Sequence, residues 1–190
     1  MKNSLAHAII IVAGTLKVMA ILSVALLVFY LIPVIENINA NAQPTDVKGY
    51  RARAEKRFGL PLKEIGEVVD FADTHGGFLG DGEGYLEIQC SDMEYKKIED
   101  SVSGREVWNS LDEKANREHL WDYLGQSFAI VKEIPIPKRG YYLFYDEQTE
   151  LDSPFSNGEE IFESGRFGYN FDVLILDSDK NRIVLYSLDT

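Results

Sequence analysis

Apolar residues run almost unbroken through the start of the chain and then settle into short periodic patterns. Residues 18–35 are 18 consecutive positions without a charge, rich in Leu, Val, Ile and Ala. As a helix they extend about 27 Å, close to the roughly 30 Å of a bilayer core. Apolar character continues backwards through residues 5–16, interrupted only by Lys17, which can snorkel to the headgroups from one end of a span. Pro33 falls in the last turn, where it removes few helical hydrogen bonds. A helix apolar all round is at home in lipid, so the pattern predicts a single N-terminal transmembrane helix. Ala40-Asn41-Ala42 has the form of a leader cleavage site, although the long apolar stretch before Lys17 suits an uncleaved anchor better. Lys2 and Lys17 precede the span; Lys48, Arg51, Arg53, Lys56 and Arg57 follow it. The positive-inside balance is close, and nearness to the span favours an inside N-terminus with the rest of the chain exported across the cell membrane.

Beyond a short Asn- and Ala-rich linker, residues 36–43, the periodicity changes. Thr45 or Asp46 can cap a helix running to Phe58, with Gly59 ending it and Pro61 preventing its return. Its basic run is placed to touch anionic headgroups, or to form a solvated face balanced by Asp46 and Glu55. Residues 67–73 and 84–90 read as strands. In the second, Leu86, Ile88 and Cys90 alternate with Tyr85, Glu87 and Gln89, the pattern of a half-buried antiparallel strand. The capping box Ser91-x-x-Glu94 opens a helix with a Tyr95, Ile98, Val102 stripe that closes near Gly104. A second box, Ser110-x-x-Glu113, predicts a helix whose Leu120, Trp121, Leu124 stripe ends at Gly125. Ile134-Pro135-Ile136-Pro137 is extended and leads into an aromatic strand at 141–145. Residues 171–176 and 183–188 form a hairpin of central strands joined through 177–182. This order predicts an α+β domain: one antiparallel sheet of about five strands with helices on one face. Residues 1–42 are then anchor and linker, and residues 43–190 one domain.

Charge narrows the partners. The chain carries a formal net charge of −12 over 190 residues. Of its 31 acids and 19 lysines and arginines, 30 and 17 lie after Ala42, a net of −13 for that region. Such a field repels phosphate backbones and argues against nucleic-acid binding. Cys90 is the only cysteine, which excludes an intramolecular disulfide and, so far from the anchor, a lipidated lipoprotein cysteine.

One segment stands out chemically. Asp73-Thr74-His75-Gly76-Gly77-Phe78-Leu79-Gly80-Asp81-Gly82-Glu83-Gly84 sets five glycines and several polar side chains between two strands. As a phosphate cradle it lacks the lysine and following helix of a P-loop. Asp73, His75, Asp81 and Glu83 are suitable metal-ligand types, but their spacing matches no established cage. His75 beside Asp73 suits acid–base chemistry, yet no nucleophile is marked. A bulged hairpin, its glycines supplying positive φ, explains the same residues without function. If the loop binds anything, Asp73, His75, Gly76, Gly77, Asp81 and Glu83 are the candidates. Asp177-x-Asp179-x-Asn181 has the opening spacing of a calcium loop, but Arg182 stands where the sharp turn needs glycine. It reads as a hairpin turn. No metal site or cofactor is expected.

The D-T-H-G-G-F-x-G-D-G run at residues 73–82, with a closing hairpin ending Leu188-Asp189-Thr190, resembles small bacterial membrane-anchored proteins of uncharacterised activity. That resemblance implies a bacterial, anchored protein and carries no reaction with it. The sequence therefore leads to a non-enzymatic, membrane-tethered domain that binds a protein or envelope component. The alternatives are a metal-assisted or acid–base hydrolase centred on His75 with Asp73 and Asp81, and a cytoplasm-facing regulatory or immunity-type protein.

Overall fold

The structure, a computed structural model, describes residues 29–30, 46–75, 81–127, 136–149, 152–163, 165 and 167–190. The chain divides into two units, Met1–Ala42 and Gln43–Thr190, and the fold below is that of the second. Of the anticipated span only Phe29 and Tyr30 are described, both helical; the rest of it lies outside the described residues. Among those residues no helix is long and apolar enough to cross a membrane.

Eleven elements follow in order among the described residues: α1 (Val47–Phe58), β1 (Glu67–Asp73), β2 (Gly82–Gln89), α2 (Asp92–Val102), β3 (Asn109–Ser110), α3 (Lys114–Ser127), β4 (Gly140–Asp146), β5 (Phe155–Ser156), α4 (Glu159–Glu163), β6 (Asn170–Asp177) and β7 (Arg182–Asp189). Among the described residues all seven strands join one antiparallel sheet in the order β1-β2-β7-β6-β4-β3, with β5 added to β4. The domain is α+β, as expected. Five strands are long; β3 and β5, two residues each, are too short to leave a period in the sequence.

Local chemistry explains the ends of the elements. The Asp46 carboxylate accepts the Gly49 N–H at 2.6 Å, and Gly59, at φ 66°, closes α1 in the left-handed conformation. Both halves of the Ser91/Glu94 capping box are formed. The second box is not. Ser110 lies in β3 paired with Tyr141, and its hydroxyl accepts the Asp112 N–H at 3.2 Å, so α3 begins only at Lys114. In the β6–β7 turn the Asp177 carboxylate accepts the N–H groups of Asp179 and Lys180, while Asn181 takes φ 52°. Asp179 pairs with Arg139 and Asn181 donates to Asp92. Each residue of that calcium-like pattern serves the turn.

Helices cover both faces of the sheet, not one. Tyr50, Ala54 and Phe58 of α1 and Tyr95, Ile98 and Val102 of α2 pack with Leu86, Ile88, Leu174, Leu176, Ile183 and Leu185. On the opposite face Leu120 and Leu124 of α3 and Ile161 of α4 pack with Phe144, Val173, Ile175, Val184 and Tyr186. Successive strand residues point to opposite faces, so both parities of β6 and β7 are buried. The same covering corrects the reading of β2 as half-buried: Tyr85 and Glu87 are buried as well as Leu86 and Ile88. Trp121, expected in the core stripe of α3, is 52% exposed, while Leu120 and Leu124 are fully buried.

Candidate functional site

The inward stripe of α1 is Tyr50, Arg53, Ala54, Arg57 and Phe58, spaced i, i+3, i+4, i+7, i+8 along one helix face. Two arginines thus lie where a core helix usually carries apolar residues. Beneath them the strand register aligns Asp73, Gly84, Ser187, Asp172 and Tyr145 in one row across five strands. The row contains two carboxylates, a serine hydroxyl and a tyrosine, so helix and sheet meet through charge at this end of the domain.

At one end of the row a single oxygen, Asp73 Oδ1, lies 2.7 Å from the His75 backbone nitrogen and 2.7 Å from its ring Nδ1. A carboxylate only accepts, so Nδ1 carries a proton in this contact. The Tyr50 hydroxyl approaches Nδ1 at 3.1 Å. The His75 and Asp73 side chains are only 2% and 7% exposed. Burial holds the Tyr50 hydroxyl well above the ordinary tyrosine value, with Asp73 and Asp172 adding to the rise and Arg53 opposing it. It therefore stays protonated and serves as a hydrogen-bonding group.

Arg53 continues the network. Its Nη2 donates to Ser187 Oγ and lies 3.2 Å from Asp172 Oδ1, and its guanidinium stands 4.8 Å from the Tyr50 ring centroid. Arg57 Nη1 meets Asp172 Oδ2 at 2.5 Å, its Nη2 pairs with Glu147, and it lies over the Tyr145 ring. The Asp172 side chain is 0% exposed. Arg53 Nε and Nη1, Asp73 Oδ2, His75 Nε2 and Asp172 Oδ1 are buried without a hydrogen-bond partner among the described residues. A second buried pairing sits on the opposite face, where Arg182 bonds Glu87 and Asp177 and the Tyr85 hydroxyl donates to Glu87.

The anticipated site is thus only partly assembled. Asp73 and His75 come together. Glu83 is a strand residue whose carbonyl accepts from Thr74 and whose N–H donates to Thr74 Oγ1, and Asp81 is exposed. Gly76 and Gly77 lie outside the described residues. Among the described residues no three His, Cys, Asp or Glu side chains are grouped to hold a metal ion. Two neighbouring glycines answer to close approach: a Cβ on Gly84 would overlap the Tyr50 hydroxyl, and one on Gly82 would collide with the His75 backbone. Tyr50, Arg53, Arg57, Glu147, Asp172 and Ser187 were not foreseen. Their signals were a tyrosine and two arginines on a helix's apolar spacing, and one aspartate between Phe171 and Val173 in a buried strand.

The basic run of α1 is largely consumed inside the protein. Arg51 Nη1 donates to the carbonyls of Leu62, Lys63 and Ile65, and its Nη2 to that of Gly66; Arg53 and Arg57 are buried in the network. Lys48 and Lys56 alone of the five are exposed.

A groove of about 600 Å³ lies on the other face of the domain, between α3 and the segment entering β4. Lys114, Arg117, Glu118, Trp121 and Asp122 line it from the helix, Ile136 and Lys138 from the segment.

No family model, curated protein or solved structure matches the chain.

Proposed function

We propose that the protein is a non-enzymatic binding domain, anchored by one N-terminal helix at residues 18–35 and exposed outside the cytoplasmic membrane to a protein or envelope component. The observation that carries this reading is the sealing of the Asp73–His75 pair beneath α1. The residues best equipped for chemistry support the domain from inside, which leaves recognition to its surface. The uncharged run at 18–35 supports the tether.

Protease treatment of intact spheroplasts, followed by crosslinking of membranes, tests it. Digestion of residues 43–190 from outside and enrichment of a defined partner are the expected results. A protected domain would replace this reading with the cytoplasm-facing regulatory or immunity-type one. Loss of the chain from the membrane fraction would remove the anchor.

The 2.7 Å Asp73–His75 contact favours an acid–base hydrolase as the second reading, since an imidazole oriented by a carboxylate has a basic Nε2. Hydrolysis of activated ester or phosphoester substrates, abolished by His75→Gln, would establish it. Equal background rates in both proteins would dismiss it.

A further inference from the structure

We propose that the groove along α3 binds a small carboxylate-bearing saccharide, taken up against the indole of Trp121. Lys114, Arg117, Glu118, Trp121 and Asp122 follow the i, i+3, i+4, i+7, i+8 spacing of a single helix stripe. Leu120 and Leu124, with Tyr123 stacked on Phe162, fasten this part of α3 to the core, so packing does not require Trp121. Its indole nevertheless stands 52% exposed in a groove of about 600 Å³, within the roughly 300–1,000 Å³ typical of small-molecule sites.

The lining selects the ligand. An indole face stacks on a flat apolar surface, and a pyranose ring offers one through its C–H groups. Sugar hydroxyls both donate and accept; Glu118 and Asp122 accept from them, and Lys114, Arg117 and Lys138 donate. Three cations against two carboxylates leave the groove locally positive in a region of net charge −13. A ligand of one or two sugar rings feels that local field, whereas a long acidic polymer also meets the negative surroundings. Arg117 is already fixed, its Nη1 donating to the carbonyls of Leu111, Asp112 and Lys138, so little side-chain entropy is lost on binding. Lys114 is partly offset by its exposed pair with Glu118 at 3.0 Å, which leaves Lys138 as the chief anchor for the ligand carboxylate.

This inference deepens the binding-domain reading and rests on it for where the ligand is met. The contact itself is tested apart from topology. The full chain in a non-glycosidic detergent is titrated calorimetrically with glucuronic acid and N-acetylmuramic acid, against glucose and N-acetylglucosamine. Saturable binding of the acids with a Kd on the order of 1 mM is expected from the usual affinity per ligand atom, with quenching of indole fluorescence. Trp121→Ala should weaken it more than tenfold, and Lys138→Ala should erase the preference for acidic over neutral sugars. Both positions are exposed, and circular dichroism checks that the fold is retained. No saturable binding well above that concentration, or binding unchanged in Trp121→Ala, overturns the proposal. So does tighter binding of hexaglutamate or anionic vesicles, which assigns the groove to a peptide or a lipid surface. A saccharide bound by a domain that the spheroplast test finds protected would keep the site and discard the exported topology.

Discussion

Tyr50 can sit over β2 only because position 84 lacks a Cβ, and from that place its hydroxyl reaches His75. The two positions should therefore be strongly coupled. Gly84→Ala forces Tyr50 off its site and should destabilise the domain by about 1–3 kcal/mol, the usual range for overpacking. Tyr50→Leu removes the clashing hydroxyl and ring carbons as well as the contact to His75. In a double-mutant cycle the pair should lose less than the sum of the single losses, by more than the roughly 0.5 kcal/mol expected of independent sites. Additive losses in urea unfolding would mean that Tyr50 and Gly84 do not share this space.

At the level of elements, α1 is joined to the sheet by ions as much as by oil. Asp172 is fully buried and takes both Arg53 and Arg57, so Asp172→Ala removes the carboxylate that Arg53 pairs with and leaves Arg57 its pair with Glu147. Breaking one partner of a buried pairing costs about 3–5 kcal/mol, and for a domain of this size that lowers Tm by on the order of 10 °C. Replacing the group together, with Arg53→Met, Arg57→Met and Asp172→Leu, should restore much of the loss, because no charge is then left unpaired in the interior. A triple variant no more stable than Asp172→Ala would show that α1 is held by something other than this network.

The same helix shows what was legible in the sequence. Its cap, narrowed to Thr45 or Asp46 and found at Asp46, and its end at Gly59 were legible because local hydrogen bonds decide them. Its inward face could not. Arginines on an apolar spacing read as a basic surface until Asp172, more than a hundred residues away, is known to lie beneath them. Of the long strands β2 was legible by alternation, β4 by its aromatic run and β6 and β7 as apolar stretches flanking a turn, whereas β3 and β5 are too short to show a period. Ser110 was misread because a capping-box pattern also fits a strand end followed by a turn. Asp73 and His75 were found as neighbours in sequence; the rest of their network comes from distant elements.

Over the whole domain, buried tyrosines tie both cores to one protonation state. Tyr50 and Tyr95 lie in one core and Tyr85, Tyr142 and Tyr186 in the other, and burial raises the pKa of every one of them well above the tyrosine value. Burial likewise pushes the Cys90 thiol from its ordinary 9.0 up to about 11. A raised pKa means the folded form holds its proton more tightly than the unfolded one. The resulting stabilisation is complete below the unfolded value and is lost as pH climbs toward the folded one. Stability should thus be flat up to about pH 9, decline between about 9 and 11 through Cys90, and fall more steeply as the unfolded tyrosines begin to ionise at about 10. Because the affected groups sit on both faces of one sheet, neither core can release its protons alone. Absorbance at 295 nm reads tyrosine ionisation directly. The buried tyrosines should ionise only together with a cooperative loss of far-ultraviolet circular dichroism. If all ten tyrosines of the chain ionised near pH 10 with the dichroism intact, the double-sided burial described here would be wrong.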